Sequence, residues 1–416
     1  MSDPSSMNSS VAAQQIDPWK AFSGSSARGD LAGVLALDDF ELLARSRLPR
    51  PIFGYVAGAA ETSASLADNR GAFRQWSLVP RVLRDVSVRG QEVELFGTMY
   101  RSPFGIAPMG LAALTAYDGD RVLARAAATA GIPFVLSATS LTPLEKVIEA
   151  APGSWFQAYL PGEDARIAAL LERVRTAGCG TLVVTVDLPV AGNRENNIRA
   201  GFSTPLRPSL RLAWDGLVRP RWLVGTMLRT LLTFGMPHFE NSFAERGAPL
   251  LSSKAARDFS NRAQFSWRHI ERIRDVWKGN LVLKGVLSPE DAALARKAGA
   301  DGLIVSNHGG RQLDGAVSAL RVLASVVREA GDMTVMMDGG IRRGSDVIKA
   351  LALGARCVFV GRPFNYAASV GGEAGVLHAI ELLRSEVDRN LAMLGIDRIS
   401  GIDRSILRHA AEDPVL

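Results

Sequence analysis

One histidine stands in company suited to proton transfer: Ser306-Asn307-His308-Gly309-Gly310-Arg311, directly after an apolar run. Imidazole accepts a proton near neutral pH, the paired glycines clear space around it, and a guanidinium three residues on can hold a carboxylate through two parallel bonds. Asp187 ends another apolar run and carries the charge to stabilise the imidazolium that proton transfer would create. Arg194, on the loop after Asp187, supplies a second guanidinium, although a surface ion pair with its neighbour Glu195 would explain it equally well. Two further stretches, Asp338-Gly339-Gly340-Ile341-Arg342 and Gly361-Arg362, have what an anion needs. Their glycines let backbone N–H groups close on a phosphate, a helix start adds its positive pole, and the arginines neutralise charge. Either stretch alone reads equally well as a tight turn. The two together point to a bound phosphate.

These groups need a frame that brings them to one place. Eight short apolar runs supply it, at 103–107, 133–136, 155–158, 181–186, 281–284, 302–305, 334–337 and 357–360. Near-continuous apolar runs suit parallel strands covered on both faces, and helical stretches such as 289–298 and 344–353 provide the crossovers. Eight such units predict an α/β fold, a (β/α)8 TIM barrel rather than an open sheet. Every run ends on residues that are costly to bury without purpose: Ala107-Pro108-Met109-Gly110, Ser137, Gln157 with Tyr159, Thr185 with Asp187, Lys284, Ser306 to Arg311, Asp338, and Gly361-Arg362. In a barrel those ends share one face, where barrel enzymes do their chemistry, and the loops after strands seven and eight are the usual phosphate position. Roughly a hundred residues separate runs four and five, far more than a crossover requires, so a segment is inserted there, at 200–262.

Composition sets the outer limits. Of 416 residues, 47% are apolar and 22% charged, ordinary for a globular protein, and the net charge of +6 is too mild to suggest nucleic acid. Cys179 and Cys357 are the only cysteines, which argues against a disulfide framework and for a reducing compartment. No secretory signal and no apolar stretch long enough to span a bilayer are visible. Residues 1–30 have no apolar period and read as a disordered tail, leaving 31–416 as one barrel domain. A helix is expected from a cap at Asp38 to just before Pro49. Within the insertion, 206–236 carries Arg207, Arg211, Arg219, Arg221 and Arg229 against one acid, interleaved with Trp214, Trp222 and several leucines. Such a segment suits the interface of a membrane; a helix packed on the barrel or at a subunit contact is the bland alternative.

The strings Lys284-Gly285-Val286, Ser306 to Asp314, Asp338 to Gly344 and Gly361-Arg362 resemble the FMN-dependent 2-hydroxy acid dehydrogenases and oxidases, from about Leu37 to Ile406. The resemblance implies FMN as cofactor and oxidation of an (S)-2-hydroxy acid to the 2-keto acid. It implies His308 as the base with Asp187 as its partner, Tyr159 facing the substrate hydroxyl, and Tyr55, Arg194 and Arg311 on the substrate carboxylate. Pro108, Met109, Gly110, Ser137, Gln157, Thr185 and Ser306 correspond to positions around the flavin ring, and Lys284 to the lysine that balances charge on it. Asp338, Gly339, Gly340, Arg342, Gly361 and Arg362 correspond to the ribityl-phosphate site. No metal is implied.

Within that family the stretches at 131–137, 219–222, 235–237 and 343–346 resemble the mandelate dehydrogenases most. Thr139 and Ala191 remove bulk and leave room for an aromatic or medium side chain, with lactate as the next candidate. Asn193 departs from the pattern, where a tyrosine precedes the arginine. Gly110, where oxidases carry alanine, favours a dehydrogenase that reduces a membrane quinone; an oxidase releasing peroxide is the alternative. The resemblance further implies a homotetramer, cytoplasmic and peripheral on the inner face of the cell membrane. A flavin-free lyase using Lys284 as a Schiff base, and an inert scaffold, are the rivals from other classes.

Overall fold

Side chains alternate along eight short parallel strands between a packed interior and a surrounding layer of helices, and this alternation organises the molecule. The computed structural model describes residues 31–203, 209–252 and 262–411; the expected tail at 1–30 and Arg207 lie outside them. The strands are β1 (Phe104–Ile106), β2 (Val135–Ser137), β3 (Trp155–Ala158), β4 (Thr181–Thr185), β5 (Asn280–Val286), β6 (Gly302–Val305), β7 (Thr334–Asp338) and β8 (Cys357–Val360). Neighbours in sequence pair in parallel, β8 pairs with β1, and a bridge from Ile106 to Phe134 closes the ring. The expected (β/α)8 barrel is the observed one.

Outward-facing residues such as Phe156, Leu182, Leu283 and Met337 pack under the helices, while Val135, Trp155, Val183, Val282, Ile304, Met336 and Phe359 fill the interior. An antiparallel hairpin, Val93–Leu95 with Thr98–Tyr100, plugs the lower end. There the indole N–H of Trp155 donates to the Tyr100 hydroxyl at 3.2 Å. The inward set turns polar one step further along the strands, to Ser137, Gln157, Thr185, Lys284, Ser306 and Asp338, all buried. Period-two alternation thus hands the same inward face from a dry core to a polar floor.

Helices 289–297 and 344–352 are among the crossovers expected from the sequence. The helix near the start runs Leu37–Arg47, but its cap differs from expectation. Asp39, not Asp38, accepts the N–H groups of Leu35 and Ala36, both at 2.9 Å, because Asp38 is turned towards Arg342. Within the insertion the described residues form helices Leu210–Leu217, Pro220–Trp222 and Arg229–Phe234, with a π-wound stretch Leu223–Leu228 between the last two. No helix among the described residues is long and apolar enough to cross a membrane.

Candidate active site

Above the polar floor lies a cavity of about 640 Å³. Its wall includes Tyr55, Pro108, Met109, Gly110, Tyr159, Thr185, Arg194, Lys284, His308, Arg311, Asp338, Gly339, Gly340, Arg342, Gly361 and Arg362. Ser137, Gln157, Ser306 and Asp187, also singled out from the sequence, stand behind that wall and touch residues that line it or each other. Ser137 reaches Thr139 and Gln157, Ser306 reaches Lys284, and Asp187 reaches His308.

His308 sits just past β6 with φ of 57°, a left-handed backbone that a non-glycine residue adopts only under constraint. Its Nδ1 lies 2.9 and 3.2 Å from the two carboxylate oxygens of Asp187. Its Nε2 lies 3.3 Å from the Tyr159 hydroxyl. Burial pushes the imidazole below its ordinary pKa, with Lys284 and Arg194 acting in the same direction and Asp187 opposing them. Burial alone would raise Asp187, but His308 and Lys284 outweigh it and keep the carboxylate ionised. The Tyr159 phenol is pushed up, chiefly by burial and then by Asp187, so it stays protonated and can donate.

Lys284 extends from β5 to within 2.8 Å of Asp338 and donates to Ser306 Oγ at 2.9 Å. Ser306 Oγ also accepts the backbone N–H of His308 at 2.9 Å, so a single hydroxyl joins the lysine to the histidine loop. Arg194 donates to the carbonyl of Arg311 at 3.1 Å and to Gln312 at 2.6 Å. Glu195 pairs with Arg199 instead, which removes the surface-pair explanation of Arg194. Arg311 reaches the carbonyls of Tyr55 and Gly58 through Nη1, at 2.9 and 2.7 Å. Burial, reinforced by the nearby Arg194 charge, pulls its guanidinium down to about 9.

The turn Gly339-Gly340 after β7 has φ of 96° and 83°. A Cβ on Gly340 would fall 2.0 Å from the backbone oxygen of Asn69, so this turn tolerates only glycine. Arg342 is pulled down to about 10 by burial, then by the neighbouring charges of Arg70 and Arg362. Crowded, desolvated guanidinium groups of this kind favour a bound anion. In the polar floor and wall, Gln157 Nε2, Thr185 Oγ1, Asp338 Oδ1 and Asn365 Oδ1 are buried without a hydrogen-bond partner. A buried polar atom without a partner costs about 1–3 kcal/mol, and a planar ring with several donors and acceptors would satisfy this mixed set. The residues therefore fit a flavin, whose phosphate Gly339, Gly340 and Arg342 would hold.

Residues 44–409 match the family model described as FMN-dependent dehydrogenase. The chain belongs to the FMN-dependent dehydrogenase family. It is 38% identical to the (S)-mandelate dehydrogenase of Pseudomonas putida, over 90% of this chain and 93% of that one. It is 41% identical to the L-lactate dehydrogenase of Caulobacter vibrioides strain NA1000 / CB15N, over 90% of this chain and 97% of the relative. The crystal structure of the monotopic membrane protein (S)-mandelate dehydrogenase superposes with a TM-score of 0.83 at 36% identity, covering 91% of this chain and all of that one. This family member is thus an FMN-dependent oxidoreductase of the 2-hydroxy acid dehydrogenase and oxidase type.

Sequence reasoning missed several residues that line the cavity or support it. Arg262 stacks its guanidinium 4.5 Å from the centre of the Tyr159 ring, and Phe202 and Phe239 close the outer wall. Gln312, inside the motif but given no role, donates to the backbone oxygen of Asp187 at 3.3 Å. Asn69 pairs with Asn307 from a helix far away in the chain. Only Gln312 had a local signal, its place directly after Arg311.

Proposed function

We propose that the protein oxidises an (S)-2-hydroxy acid of mandelate or lactate type to the 2-keto acid, with His308 as the base. The observation that carries this reading is the chain Asp187–His308–Tyr159 opening into a cavity ringed by arginines. The bond from Nδ1–H to Asp187 fixes the tautomer whose Nε2 lone pair is available to the substrate. Burial keeps that imidazole neutral before reaction, and Asp187 stabilises the charge it gains. Arg194, Arg311 and Tyr55 grip the substrate carboxylate, and that anion offsets the burial and the neighbouring Arg194 charge that lower Arg311. Tyr159, whose phenol burial pushes up, donates to the substrate hydroxyl. FMN, held by Gly339, Gly340, Arg342 and Arg362, supplies two-electron oxidation when bound, and Lys284 offsets negative charge beside it.

The electron acceptor in this proposal is a membrane quinone, reached by docking the inserted helices onto a lipid surface. Trp222 is buried and donates to the carbonyl of Leu114 at 2.7 Å, so one face of the insertion is anchored on the barrel. The other face leaves Leu210, Trp214, Leu217, Val224 and Leu232 exposed, Leu210 by 92% and Leu232 by 88%. Exposed apolar side chains flanked by Arg211 and Arg221 suit an interface with anionic lipid. Arg229 stacks 3.8 Å over the Tyr117 ring. A homotetramer completes the proposal, checked by light scattering.

The deciding experiment is anaerobic bleaching of the flavin by a panel of 2-hydroxy acids in wild type and His308→Ala. The variant should keep its yellow colour and lose several orders of magnitude in bleaching rate; near wild-type bleaching refutes the role of His308. Oxygen uptake during turnover would replace the quinone by oxygen as acceptor. Cosedimentation with anionic vesicles, abolished in a Leu210→Asp/Leu232→Asp variant, tests the membrane face.

A further inference from the structure

His308 holds a left-handed backbone that few non-glycine residues adopt, and contacts around it hold it there. Ser306 Oγ restrains the backbone from one side. The other restraint comes from Asn69, fully buried on the helix Ala64–Arg74. Its carboxamide pairs reciprocally with that of Asn307, the residue before His308. Asn69 Nδ2 donates to Asn307 Oδ1 at 2.8 Å, and Asn307 Nδ2 donates back to Asn69 Oδ1 at 2.9 Å. Asn307 then uses its remaining capacity within its own loop. Its Oδ1 accepts the N–H of Gly310 at 3.1 Å, and its Nδ2 reaches the Val317 carbonyl at 3.2 Å.

The same helix is tied to the loop and to the phosphate turn at other points. Asp314 accepts the N–H groups of Thr62 and Ser65 at 2.9 and 3.0 Å, which satisfies otherwise open donors at the helix start. The Asn69 carbonyl stands directly against Gly340, where no Cβ fits. Catalytic loop and phosphate turn therefore meet at one residue.

We propose that Asn69 is a positioning residue for the reaction, a role that presupposes His308 as the base. Its carboxamide, held by Asn307, fixes the His308 loop against the Gly339-Gly340 turn, so that base and cofactor phosphate keep one spacing. A buried amide pair of this kind is directional: each partner must present its oxygen to the other's nitrogen.

Asn69→Asp tests this with almost no change in shape. The new carboxylate cannot donate to Asn307 Oδ1, so two oxygens face each other and the Asn307 carboxamide is pushed off the Gly310 N–H, which keeps only the Asn307 carbonyl as acceptor. In FMN-loaded enzyme kcat should fall roughly 10- to 100-fold, the cost of a base displaced by a fraction of an ångström to an ångström. KM should change less than about threefold, and the limb of the pH profile assigned to His308 should move. FMN should also dissociate faster on gel filtration. Arg321→Gln, which breaks the exposed contacts of Arg321 with Asp68 on the same helix and with Gln75, should leave kcat within about twofold. Asn69→Ser, smaller and uncharged, repeats the test if Asn69→Asp does not fold. Wild-type kcat and pH profile in either folded variant, or failure of both to fold, overturns the proposal. His308→Asn run alongside separates the two assignments. If it stays active the base assignment falls, whereas an inactive His308→Asn beside wild-type Asn69 variants removes only the role of Asn69.

Discussion

Replacing Asp187 by asparagine keeps the volume beside His308 and removes one charge. The two carboxylate oxygens stand 2.9 and 3.2 Å from Nδ1, on side chains that are 13% and 17% exposed, so solvent screens the pair little. At a charge separation of about 4 Å and an effective dielectric of about 20, the imidazolium–carboxylate attraction is worth about 4 kcal/mol. A neutral amide oxygen facing Nδ1–H returns about 1 kcal/mol of hydrogen bonding. The protonated histidine formed in the reaction thus loses about 2–4 kcal/mol, equivalent to roughly 30- to 1,000-fold in the proton-transfer rate. The pH profile carries a second, independent sign. Burial already lowers the His308 pKa and Asp187 opposes it, so removing Asp187 lowers it further. His308 must be neutral to act, so the acidic limb of kcat/KM moves to lower pH while the plateau falls. Anaerobic stopped-flow bleaching of the flavin measures both without involving the electron acceptor. An unchanged plateau, or a limb that moves to higher pH, refutes the assignment.

Four further outcomes follow from the geometry. Lys284→Met leaves the buried Asp338 carboxylate without its 2.8 Å partner and should cost about 3–5 kcal/mol, read by chemical denaturation of the flavin-free protein. Gly340→Ala drives a Cβ into the Asn69 carbonyl at positive φ and should cost about 1–3 kcal/mol, with FMN released on gel filtration. Asp120 is raised to about 7, chiefly by burial, so its contribution favours the fold below the ordinary carboxylate range and is lost as pH rises towards 7. Asp120→Asn should therefore raise the melting temperature at pH 8, by on the order of 1–3 kcal/mol in stability, and change it little at pH 4. Asp314 is held down at about 2, first by the Thr62 hydroxyl and then by the Ser65 N–H, so its cap persists above the ordinary carboxylate range and fails as pH falls towards 2. Asp314→Asn should abolish that acid-dependent step in a melting series from pH 5 to pH 2.

The barrel was legible because a parallel strand covered on both faces demands an apolar run whatever surrounds it, and eight runs with polar ends leave few alternatives. The residues from Ser306 to Arg311 were legible for a similar reason: their types and left-handed glycines are properties of the local string. Packing decided the partners. Nothing near Asn69 in sequence marks it, and its mate lies 238 positions away. Asp38 looked like a helix cap until Arg342 claimed it. Arg262 reaches Tyr159 from the far side of the insertion. Sequence alone determined the side chains available, the period of each element and the face on which strand ends gather. Tertiary structure decided which donor met which acceptor, since a hydrogen bond or ion pair depends on distances near 3 Å that only the closed barrel and its docked helices set.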